Sequence, residues 1–174
     1  MPVYELNGKR PRIDSTVVVD DNATIIGDVT IEAESSVWPN AVLRGDKGVI
    51  RIGRNVNLQD NVVIHAETGK EVVIGDNVSV GHGAILHGCK IGNNVLIGMG
   101  SIIMDGTSIE DWVMVGAGAV VTQNTHIASK SVVLGIPGRA VGHINNEQLE
   151  YIKKNAQEYL RLAKEYLEKK KRLY

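Results

Sequence analysis

The chain has no phenylalanine and only one cysteine, Cys89, among 174 residues. One thiol excludes an intramolecular disulfide framework. A charge bias is missing too: 19 Lys and Arg stand against 20 Asp and Glu, a net charge of −1, which offers no broad electrostatic footprint for nucleic acid. The opening MPVYELNGKRPRID has no apolar signal core, and no apolar run is long enough for a membrane span. The simplest expectation is a single-domain cytoplasmic protein without nucleic-acid or membrane partners. With no phenylalanine and 19 glycines, an aromatic-plugged core gives way to a fold of tight, repeated turns.

What is present is a period of six. Aliphatic residues recur at Ile13, Val19, Ile25, Ile31, Val37 and Leu43, then in shifted phase at Ile52, Leu58 and Ile64. The period returns at Ile74, Val80 and Leu86 and, after one omitted residue, runs from Ile91 through Ile97, Ile103, Ile109, Val115, Val121 and Ile127 to Val133. A hexad is too short for a helix and strand together but fits one short strand and a turn. Three hexads then close a triangular coil whose aliphatics stack inside a parallel β-helix, successive coils lying about 4.8 Å apart. The [LIV]-G-x-x-x-x pattern of IGDNVS and IGNNVL resembles the hexapeptide-repeat family. That resemblance implies a left-handed coil, which periodicity does not decide and which departs from the usual right-handed crossover.

The repeat stops near GIPGRAVG, after which Asn145 or Asn146 can cap a helix. Leu149, Ile152, Ala156, Tyr159, Leu160, Ala163, Tyr166 and Leu167 fall on one stripe of it, so it should pack back on the prism. The expected fold is an all-β solenoid over residues 1–142 with a C-terminal α-helical segment over 143–174. The closing KKKR reads as a solvated helix end favoured by the helix dipole.

Sorting hexads by face gives a first column through Val37, Leu58, Val80 and Ile97 and a second through Leu43, Ile64, Leu86 and Ile103. The extra residues within GDKGVIR and AETGKEVV, and the omission after Leu86, all fall at one corner, where functional loops on a regular scaffold are expected. Arg44, His65 and His87 each follow a second-column aliphatic, which stacks them on successive coils. Asp60 and His82 occupy equivalent positions two residues after Leu58 and Val80, with Gln59 beside Asp60. Two imidazoles one coil apart can share a metal, but His82 lies on another face. Prisms around a three-fold axis would bring a foreign His82 to His65 and His87, and a foreign Asp60 to Arg44, through a ring-closing contact. Three neutral imidazoles with a fourth position open suit a hydrating Zn²⁺; a trio of polar interface histidines is the alternative.

RGD (Arg44 to Asp46), NLQD (Asn57 to Asp60), IHA (Ile64 to Ala66) and GHGAILHG (Gly81 to Gly88) resemble the gamma-class carbonic anhydrases, and the likeness extends over the whole chain. It implies a homotrimer that hydrates CO₂ reversibly to bicarbonate. His65, His82 and His87 would bind Zn²⁺, with Fe²⁺ or Co²⁺ also possible, two histidines coming from one chain and one from the next. It further implies that Arg44 and Asp60 pair between subunits, that Gln59 orients the hydroxide nucleophile, and that Asn57 and Tyr159 line the site. The family's archetype carries protons outward on glutamates of a long acidic loop. Here the loop is the short AETGKE, with Glu67 as shuttle candidate and Lys47 where acid would be expected.

Other features carry less. An adhesion reading of RGD fits poorly with Arg44 in the metal row, Cys89 reads as buried filler, and His126 and His143 lack partners in phase. GAGA and GMGS match no nucleotide-loop pattern. Two further functions use the same scaffold: a hexapeptide-repeat acyltransferase or metal-dependent thioesterase, and a non-catalytic assembly subunit.

Overall fold

The computed structural model describes residues 2–171 and Leu173. Most hexads form a two-residue strand, as in Leu96–Ile97 and Met114–Val115, whose second residue points inward and is buried. Parallel ladders join Val19, Val37, Leu58, Val80, Ile97, Val115 and Val133 in the first column. A second column runs through Ile25, Leu43, Ile64, Leu86, Ile103 and Val121. The third runs through Ile13, Ile31, Ile52, Ile74, Ile91, Ile109 and Ile127. All three columns keep the register that hexad counting assigns. They meet in one aliphatic core inside a left-handed β-solenoid of about seven turns.

The corner between the second and third faces is the irregular one, but part of it is strand instead of loop. Thr24–Ile31 and Val42–Ile52 run straight across it and pair with each other, with a register shift between Gly27 and Val29. They join both faces into a single twelve-stranded sheet. The corner before the first face is turned by Glu34, Asn55, Asn77, Asn94, Trp112 and Lys130, all at positive φ. Asparagine tolerates that conformation better than most residues, which explains its recurrence there.

The outward residues differ between faces. On the third they are Arg12, Thr30, Arg51, Val73, Lys90, Ser108 and His126, largely polar. On the second, Thr24 is followed by Val42, Val63, Ile85, Ile102 and Val120, an aliphatic row over five coils with Val63 and Ile85 exposed. The first face carries the helix α1, Asn146–Lys169. Between solenoid and helix, Arg139–His143 folds back as an antiparallel strand on Ser131–Leu134, so the Gly/Pro break is a hairpin, and His143 lies exposed in it.

Asn145 caps α1 through a capping box, its side chain accepting from Gln148 N while Gln148 Oε1 accepts from Asn145 N. Ile152, Ala156 and Ala163 of the stripe are buried, whereas Leu167, near the end of the helix on the same stripe, is 68 % exposed. Of the KKKR run, Arg172 lies outside the described residues. Lys170 is not merely solvated: its ammonium donates to the buried Asp20 at 2.5 Å.

Candidate metal centre

Ladder pairing places Arg44 beside His65 and His65 beside His87. His65 Nδ1 faces His87 Nε2 at 3.0 Å. The far nitrogen of each ring meets a carboxylate: His65 Nε2 is 3.0 Å from Asp46 Oδ1 and His87 Nδ1 is 2.9 Å from Asp105 Oδ2. Burial pushes both carboxyls up, but it is outweighed by hydrogen bonds from His65 and Arg44 at Asp46, and from Lys70 and His87 at Asp105. Both are therefore held below the ordinary 3.8. Ionised carboxylates only accept, so these ring nitrogens donate.

In neutral rings the two remaining nitrogens then aim bare lone pairs at one another. Such a pair at 3.0 Å repels unless a proton or a metal cation lies between them. Nitrogen ligands of a tetrahedral zinc stand roughly 3.3 Å apart, so the donor set fits such an ion after a small opening. Glu67 completes a group: one ligand atom each of His65, Glu67 and His87 lies within 4.8 Å of the others. Glu67 also accepts from Lys47 Nζ at 2.8 Å.

His82 stands apart with its own partners. Its Nδ1 is 2.8 Å from Asp60 Oδ2, its backbone N–H donates to Gln59 Oε1 at 3.2 Å, and Tyr159 OH lies 3.4 Å from its Nε2. Gln59 is buried and donates to Asn57 Oδ1 at 3.0 Å, while Asn57 donates to Ser79 Oγ at 2.8 Å. This row therefore fixes the Gln59 amide. Burial, and then the Asp60 charge, raise the Tyr159 phenol. Within one chain Arg44 bonds to Asp46 and Asp60 bonds to His82, so the expected partners Arg44 and Asp60 are each held by a neighbour of the same chain.

Three contributors were not singled out in the sequence. Asp46 and Asp105 are the carboxylates behind His65 and His87. Counting two residues past Ile103, as for Asp60 past Leu58, would have flagged Asp105. Trp38 packs edge-on against both Tyr159 and Tyr166, at centroid distances of 5.5 and 4.9 Å, and no repeat signal marks it. Cys89 is buried in the core, where burial and the nearby Asp105 push its thiol up to about 12; it is filler. His126 sits on the surface beside Glu110.

Residues 88–123 match the family described as bacterial transferase hexapeptide (six repeats), and residues 71–103 match the hexapeptide repeat of succinyl-transferase. A probable carbonic anhydrase of Methanocaldococcus jannaschii is 48 % identical over 151 residues, which cover 87 % of this chain and 95 % of that protein. The chain belongs to the gamma carbonic anhydrase family. A second member of that family, the mitochondrial gamma carbonic anhydrase 2 of Arabidopsis thaliana, is 40 % identical across 89 % of this chain, which spans 58 % of its length. The family's solenoid recurs in the crystal structure of a hexapeptide transferase family protein from Anaplasma phagocytophilum. That protein is 38 % identical with a TM-score of 0.92, over 95 % of this chain and 98 % of its own. Among the described residues, no helix is long and apolar enough to cross a membrane.

Proposed function

We propose that the protein is a metal-dependent carbonic anhydrase, adding water to CO₂ to give bicarbonate and a proton at sites shared between the subunits of a homotrimer. The observation that carries this reading is that His65, His82 and His87 each have one ring nitrogen on a carboxylate, which leaves the other, facing only a second imidazole or the Tyr159 hydroxyl, as the candidate ligand atom, as in metal-binding histidines. Zn²⁺ is the expected ion, with Fe²⁺ or Co²⁺ able to use the same donors. A divalent cation there supplies the Lewis acidity that brings the pKa of water down to about 7.

The chain's own residues do the rest. Gln59 is oriented by His82 N–H and Asn57, and its Oε1 keeps a second lone pair to hold the attacking water. Tyr159 OH lies against His82 Nε2, the nitrogen that Asp60 leaves uncommitted. Glu67, exposed in the AETGKE turn and paired with Lys47, would carry the released proton outward on leaving that partner. Arg44 and Asp60 are expected to exchange their present partners for one another across the interface. Trimerisation has a physical motive in the aliphatic row Val42, Val63, Ile85, Ile102 and Val120, which flanks His65 and His87 and is half-buried to exposed among the described residues.

The test is metal content and CO₂ hydration measured on one preparation, loaded with zinc or, anaerobically, with iron. Hydration well above the free-metal background is expected. Its absence at full metal occupancy would overturn the assignment and favour a metal-dependent thioesterase or an assembly subunit on the same scaffold.

A further inference from the structure

We propose that Asp105 is a positioning residue for the metal ligand His87 and that Lys70 holds Asp105 in place; the inference rests on the metal-centre reading above. Asp105 lies one coil beyond His87, two residues past the core residue Ile103, and reaches back along the prism. Its Oδ2 accepts from His87 Nδ1 at 2.9 Å while its Oδ1 accepts from Lys70 Nζ at 2.9 Å. Both oxygens are committed, and the carboxylate side chain is only 17 % exposed. The backbone below makes room for it. Gly88 is at φ +54°, and any side chain there would run into the Asp105 carboxylate.

The consequence is a fixed tautomer and a fixed ring plane. With Nδ1 donating to Asp105, the lone pair of His87 is on Nε2, the atom that faces His65 Nδ1. Without that acceptor, His87 could place its proton on either nitrogen and rotate about its outer torsion, and both freedoms would have to be lost when metal binds. The negative charge behind the ring also makes Nε2 a stronger donor. Partners of this kind are worth roughly 10- to 100-fold in metal affinity.

A competing explanation is that Asp105 and Lys70 merely anchor the turn after His65, and the two accounts separate experimentally. Zinc affinity is measured by competition with a chromophoric chelator for the wild type, Asp105→Asn, Asp105→Ala and Lys70→Met. In parallel, ¹⁵N NMR reads the tautomer of His87, and cobalt absorption reads the ligand field. Asp105→Ala is expected to weaken zinc binding by about 10- to 100-fold, with a mixed tautomer at His87. Asp105→Asn, whose amide oxygen still accepts from Nδ1, should recover part of the loss, and Lys70→Met should cost less than either. If Asp105→Ala binds zinc as the wild type does and His87 keeps its Nδ1–H, the positioning role is overturned while the metal centre stands. If the wild type itself takes up no metal, the metal-centre reading fails first and this one with it.

Discussion

A methyl group added at position 88 would meet the Asp105 carboxylate, on a backbone already in the left-handed region. Gly88→Ala is therefore expected to cost about 1–3 kcal/mol in urea unfolding. Because Asp105 must move to relieve the clash, the same variant should also bind zinc more weakly, and normal affinity would show that the carboxylate has other room. His87→Ala should lose metal and activity together. Glu67→Gln, by contrast, should keep its metal but turn over more slowly in dilute buffer, with added imidazole restoring the rate; an unchanged rate would remove Glu67 as the proton carrier. At this scale the sequence is legible wherever chemistry follows the hexad phase. His65 over His87 could be counted out from the repeat because ladder pairing preserves phase. Asp46 escaped notice as a partner because it reaches His65 from the adjoining corner, where inserted residues break the count.

The helix is held at its two ends by polar contacts, and each has a measurable share. Asn145→Ala removes one arm of the capping box and should cost about 1 kcal/mol. At the other end, Lys170 reaches Asp20, whose side chain is 7 % exposed. Burial raises the Asp20 carboxyl, but hydrogen bonds from Lys170 and the Asn22 backbone outweigh it and leave it below 3.8. Lys170 is raised above 10.5, chiefly by its hydrogen bond to Asp20. A depressed acid stabilises the fold above its unfolded pKa and stops doing so as pH falls through its folded one; a raised base stabilises below its unfolded pKa and stops as pH rises. The stability difference between wild type and Lys170→Met should thus be level between 3.8 and 10.5 and shrink outside that window. A difference that persists in strong acid would assign it to packing of the lysine stem. Neither this pair, 150 positions apart, nor the brace of Trp38 against Tyr159 and Tyr166 leaves a periodic trace. The solenoid columns were readable because each core residue repeats a local rule. The strand Val42–Ile52 was not, since counting registers the insertion's length and not that it stays extended across the corner.

As a whole, the molecule has a polar face, a face under its helix, and an aliphatic face flanking His65 and His87. Placing a charge on that last face, as in Ile85→Lys, should dissociate the proposed trimer in sedimentation while leaving the monomer folded, because residue 85 points outward. The decisive experiment mixes two variants, His65→Ala and His82→Ala, dissociates them and lets them reassociate. Neither alone can build a complete site. In a closed ring, each interface joins the His65 and His87 face of one chain to the His82 corner of the next. An interface is intact only when a His82→Ala chain supplies the face and a His65→Ala chain supplies the corner. Random assembly of equal amounts makes that ordered pair about once in four interfaces. Roughly a quarter of the wild-type tight metal sites, and of its CO₂ hydration, should therefore return in mixed trimers. If mass spectrometry confirms mixed trimers and no tight site returns, His82 does not complete a neighbour's centre, and the face-to-corner arrangement is wrong.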